Sequence, residues 1–113
     1  MASKSATTTT AQKSPAPAQI RPRKAPLYHV ILLDDNDHSF DYVIAMLGKL
    51  FGHPHTKAMM LAREVDEIGR VIVDTTVLER AEFKRDQIHA FGPDGLIPRC
   101  KGSMSAMLEA APD

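Results

Sequence analysis

The stretch from Val30 to Tyr42 constrains the fold more than any other part of the chain. Four apolar residues, Val30-Ile31-Leu32-Leu33, run into an acidic knot, Asp34-Asp35-Asn36-Asp37-His38, and then into Ser39-Phe40-Asp41-Tyr42. A short apolar run closed by a polar turn reads as a strand. Beyond the knot, Phe40, Val43, Ile44, Leu47, Leu50 and Phe51 recur at helical spacing. The chain therefore passes from strand to helix through a turn of carboxylates. The helix dipole favours negative charge at that end, so the knot costs little to keep ionised.

The remaining elements follow from the same signals. The strand should cover about 28–34. The first helix should start at Ser39, a good N-cap, and stop at Gly52, a good C′ residue. Pro54 suits the first position of a second helix, which carries Ala58, Leu61, Ala62 and Val65 on one face and ends at Gly69. Val71-Ile72-Val73 is β-branched and reads as a strand. Thr76-Val77-Leu78-Glu79 has the form of a capping box for a third helix running to about His89. Phe91 to Gly95 is turn chemistry, and Asp94 within it reads as an ordinary turn residue, a neutral control for substitutions elsewhere. Pro98 and Gly102 break the last segment, so a final strand, over Ser103–Ala106, belongs at a sheet edge. The expected fold is a small α/β (α+β type) sandwich, β-α-α-β-α-β. Three helices pack on one face of a three-stranded, mainly antiparallel sheet.

Charge divides the 113 residues in two. Five of the 14 basic residues lie in residues 1–26, with none of the 14 acidic ones, so residues 27–113 carry a balance of −5. An acidic body argues against a nucleic-acid partner. Residues 1–26 are rich in Ala, Ser, Thr and Pro, with Ile20 the one bulky branched aliphatic before Pro26. They are expected to be a disordered extension, with the compact domain over 27–113. No apolar run approaches the ~20 residues of a membrane span. The arm has no secretory core and no Arg-bearing amphipathic period, so a cytoplasmic location is expected ahead of organelle import.

Few residues carry the marks of catalysis. The acids of the knot lack the glycine and the distant glutamate of a calcium loop, so no metal is expected there. His53, His55 and Cys100 do not have zinc-site spacing. No phosphate loop or nucleophile elbow is present, and Cys100 lacks any local cue for activation. What the chain does offer is an acidic ledge beside the inner faces of two helices rich in apolar residues, with methionines at 46, 59 and 60. That suits a ligand with a positive charge at one end and a bulky apolar group at the other.

Several of these stretches together resemble the ClpS family, the adaptors of the Clp protease. They are Leu32-Leu33-Asp34-Asp35-Asn36, Phe40-Asp41-Tyr42-Val43, Leu61-Ala62-Arg63-Glu64-Val65, Gly69-Arg70 and Leu78-Glu79-Arg80-Ala81-Glu82-Phe83-Lys84. The resemblance covers about residues 27–109. It implies a non-enzymatic, cofactor-free adaptor that binds the free N-terminal residue of proteins beginning with Leu, Phe, Tyr or Trp. The resemblance further implies delivery of these proteins to a Clp AAA+ unfoldase; oligomeric state is open, with a monomer the default expectation. By resemblance, Asp34, Asp35 and Asp66, with His38, receive the α-amino group, and Phe40, Val43, Ala62 and Val65 form the slot for the side chain. Glu79, Glu82 and Lys84 match the family's docking positions on the unfoldase's N-terminal domain, and the arm matches its N-terminal extension. The chain departs from the family where Asn-Asp-Asp becomes Asp34-Asp35-Asn36 and Thr-Pro-Met becomes His38-Ser39-Phe40. Asp66 and Ala62 stand in place of a histidine and a methionine. The alternative implied by these departures is a module that binds the unfoldase but has lost or altered N-terminal recognition.

Overall fold

The computed structural model describes residues 25–98 and 100–112. The expected arm at 1–26 lies outside them except for Ala25 and Pro26. Strand β1 (Leu27–Leu33) leads to helix α1 (Phe40–Phe51) and helix α2 (His55–Ile68). Strand β2 (Arg70–Val77), helix α3 (Leu78–His89) and strand β3 (Ser105–Ala110) follow. The sheet order is β2-β1-β3, and both pairings are antiparallel. This is the expected fold, with the last strand at an edge.

Most boundaries follow local chemistry. Ser39 caps α1, its hydroxyl accepting from the Tyr42 N–H at 3.2 Å. Gly52 and Gly69 end α1 and α2 at φ 69° and 98°, the left-handed region that glycine enters without a Cβ penalty. Pro54 differs by one place: it is the N-cap of α2, in extended conformation, and the helix begins at His55. The capping box fails. Thr76 stays in β2 opposite Tyr28, and α3 takes Val77 as its N-cap with no side-chain hydrogen bond. Cross-strand pairing to β1 holds the β-branched run Thr75-Thr76-Val77 extended, so Glu79 falls in the first turn without its reciprocal cap. β3 also sits two residues later than expected at its start and runs on to Ala110.

The core lies between the sheet and the helices. Val30 and Leu32 from β1 meet Val43, Met46 and Leu47 from α1, Ala62 and Val65 from α2, and Ile88 from α3. Ile31 points to the other face, yet water does not reach it, because Ile72 and Met107 lie directly opposite on the two neighbouring strands. Lys84 is a further anchor. It is only 8% exposed, donates to the Leu50 carbonyl in the last turn of α1, and lies 5.4 Å from the centre of the Phe51 ring. Its cation thus meets the negative end of the α1 dipole.

Candidate functional site

The acidic turn is held by segments distant from it in the chain. At its start, the Asp34 N–H donates to the Gly69 carbonyl at 3.0 Å, while the Gly69 N–H donates to Val65 at 2.9 Å. Strand β1 therefore ends against the C-terminus of α2. The last turn of α2 carries no basic residue, and Asp66 lies within electrostatic reach of Asp34. Partial loss of solvent pushes the Asp34 carboxyl above its ordinary value. A hydrogen bond from the Asp35 backbone opposes this, and the charges of Asp66 and Asp35 add to it. Two like charges and the negative end of a helix thus meet here without a cation of their own from that turn.

Asp35 is held firmly. Its Oδ1 accepts from the Asp37 N–H at 2.8 Å and from His38 Nδ1 at 2.7 Å. The His38 side chain is 4% exposed, and its Nε2 lies 2.8 Å from the Gly102 carbonyl and 3.3 Å from Cys100 Sγ. Its ring packs 4.5 Å from that of Tyr42, whose hydroxyl donates to Gly92 at 2.5 Å. The segment joining α3 to β3 thus forms the back wall of the acidic turn.

Asp94 is the residue the sequence reading missed. It is 4% exposed, accepts from the Ser39 N–H at 2.6 Å through one oxygen and from the Leu96 N–H at 2.8 Å through the other. Burial opposes its charge, but the Ser39 and Leu96 N–H groups outweigh burial and hold the carboxyl below its ordinary value. The bond to Leu96 is the local turn bond that Pro-Asp-Gly announces. The bond to Ser39 crosses 55 positions and left no trace in the sequence. Asp94 ties this segment to the start of α1, a structural role that the turn reading did not include.

The apolar group assembles, but it is closed. Val43, Ala62 and Val65 are 3%, 0% and 2% exposed and lie together in the core cluster. Phe40, in the first turn of α1, is 42% exposed. A ligand side chain reaching these walls has to displace what covers them. Glu79 and Glu82 are exposed on α3, with Phe83 between Glu82 and Lys84 57% exposed. Lys84 turns inward to α1, so it is neither a loose surface charge nor an outward-facing ammonium. Among the described residues, no group of three or more His, Cys, Asp or Glu is placed to hold a metal ion, and no helix is long and apolar enough to cross a membrane.

Fold and site together define a small α/β binding domain with an acidic ledge beside an apolar helix pair. Residues 23–94 match the family model described as ATP-dependent Clp protease adaptor protein ClpS. The chain belongs to that family of protease adaptors. It is 33% identical over 73 residues to the ClpS adapter protein of Aromatoleum aromaticum, across 65% of this chain and 72% of that one. With the Ruegeria pomeroyi ClpS adapter protein it shares 35% over 68 residues, 58% of this chain and 60% of that one. Its fold matches Agrobacterium tumefaciens ClpS2 bound to L-phenylalaninamide, with a TM-score of 0.68 and 18% identity, across 78% of this chain and all of that one.

Proposed function

We propose that this chain captures proteins by their N-terminal residue, a free α-amino group followed by a bulky apolar side chain, and delivers them to a Clp AAA+ unfoldase in the cytoplasm. The observation that carries this reading is the meeting of Asp34, Asp66 and the α2 C-terminus beside Asp35 and the Val43/Ala62/Val65 cluster. An α-amino group has a pKa near 8 and is mostly a cation at neutral pH. The ledge offers it carboxylates and helix carbonyls. L-phenylalaninamide, the ligand of the related ClpS2, pairs one such amino group with one aromatic ring. Burial of one large apolar side chain stabilises by about 1.5–3 kcal/mol. Two charge-assisted hydrogen bonds add roughly 1.5–3 kcal/mol each, and the association cost offsets much of this sum, so weak, reversible binding is expected. Such a carrier needs neither cofactor nor catalysis. Glu79 and Glu82, with the exposed Phe83 beside them, form the proposed dock on the unfoldase's N-terminal domain.

A second reading is favoured by the closed wall at Val43, Ala62 and Val65: a domain that docks on the unfoldase and regulates it without reading N-termini. One titration separates the two. A fluorescent peptide beginning with free Leu or Phe should bind, and its N-acetylated twin should not. Equal binding of both, or of neither, removes the first reading. Phe40→Ala should uncover the slot and favour Trp- and Tyr-starting peptides over Leu; an unchanged order of preference places the side chain elsewhere.

A further inference from the structure

We propose that His38 is a positioning residue for the amino-group acceptor: it clamps Asp35 to the segment between α3 and β3, so that this segment sets how well the ledge receives a cation. The inference rests on the N-terminal reading above and assigns one step within it. Asp35 Oδ1 is engaged by two donors, the Asp37 N–H and His38 Nδ1. An incoming ammonium therefore meets a carboxylate whose orientation is already set, and it turns to Oδ2. A carboxylate held this way loses no rotamer freedom when the ligand arrives.

His38 is itself fixed from three sides. Its Nε2 lies against the Gly102 carbonyl, its ring against Tyr42, and Cys100 Sγ sits 3.3 Å from the same nitrogen. Each neighbour is tied down in turn. Tyr42 donates to Gly92, the Gly92 N–H donates to Ser103 Oγ at 2.6 Å, and Cys100 Sγ accepts from the Asp94 N–H at 3.2 Å. A buried imidazole joins an exposed acid to a segment more than sixty positions away. Deleting the ring leaves Asp35 held by the Asp37 N–H alone, with its tie to the far segment gone.

The two ring nitrogens allow a clean test, because each amide side chain imitates one of them. H38N keeps a donor near the place of Nδ1 and can hold Asp35. H38Q reaches the place of Nε2 and can hold Gly102, but not Asp35. The full chain and its H38A, H38N, H38Q and D35A variants are titrated with the Phe-starting peptide, free and N-acetylated, with a thermal melt of each. H38A and H38Q should weaken the free peptide roughly tenfold, about the worth of one charge-assisted contact, and should narrow its advantage over the acetylated twin. H38N should restore most of both. Should H38A fold poorly, the ratio of Kd between H38N and H38Q carries the test alone. Rescue by H38Q as complete as by H38N makes His38 a mere anchor and overturns the proposal. D35A binding like the unaltered chain overturns it together with the role of Asp35. D35A losing binding while all three His38 variants keep it overturns the positioning role alone and leaves the N-terminal reading standing.

Discussion

Two junctions lead from strand into helix in this fold, and they are built in opposite ways. Between β1 and α1 the chain spends six residues, 34–39, and nearly every one is engaged by a side chain: Ser39 caps the helix, Asp94 accepts from the Ser39 amide, and His38 grips Asp35. Between β2 and α3 it spends none. Val77 ends the strand, Leu78 opens the helix, and no side chain caps it. Helix α3 is secured further along instead, by Lys84 reaching α1. The contrast separates a turn organised to present charged groups in fixed positions from one that merely reverses direction and leaves Glu79 and Glu82 in water.

Substitutions can break that contrast. The largest effect is expected at Asp94. Asp94→Ala removes two hydrogen bonds to a buried charge, and urea unfolding should show a loss of about 3 kcal/mol or more. The pH dependence follows with a definite sign. A carboxyl held below its ordinary 3.8 lends stability above that value, and that contribution is lost as pH falls through the lower folded-state value. The Asp94→Ala protein should lack this part of the acid transition, and an identical acid profile would deny Asp94 its role. Next comes Lys84→Met, expected to cost about 1.5–3 kcal/mol by the same measurement, since it removes a charged donor to Leu50. Ser39→Ala should cost about 1 kcal/mol. Thr76→Ala and Glu79→Ala should stay within about 0.5 kcal/mol, because neither caps α3. If Thr76→Ala matched Ser39→Ala, the two junctions would be alike after all. Phe83→Ala should leave the melt unchanged while weakening binding to the unfoldase's N-terminal domain.

The same contrast explains how much of the molecule was legible in its sequence. Ser39, Gly52 and Gly69 act within a few residues of themselves, and their chemistry named the ends of α1 and α2. Thr76 carried a local signal just as plain, yet pairing with β1 overrode it, because strand partners come from elsewhere in the chain. Asp34 lies within electrostatic reach of Asp66, and Val43, Ala62 and Val65 share the core cluster; the family resemblance, not their spacing, singled these five out. The back wall did not show: Gly92, Asp94, Cys100 and Gly102 reach His38, Ser39 and Tyr42 through bonds spanning fifty positions or more. Nor does composition report exposure, which is why a slot wall and a sealed core face read alike at Val43 and Val65.

Strand β1 also works as a spacer. Leu33, beside the acidic ledge, pairs with Arg70, while Leu27 pairs with Val77, one residue before α3. At ~3.3 Å per residue the two ends stand about 20 Å apart. On the proposed function, a residue gripped beside Leu33 would hang about that far from the proposed dock at Glu79 and Glu82 on α3. That reading therefore expects the peptide and the unfoldase's N-terminal domain to bind together, neither displacing the other.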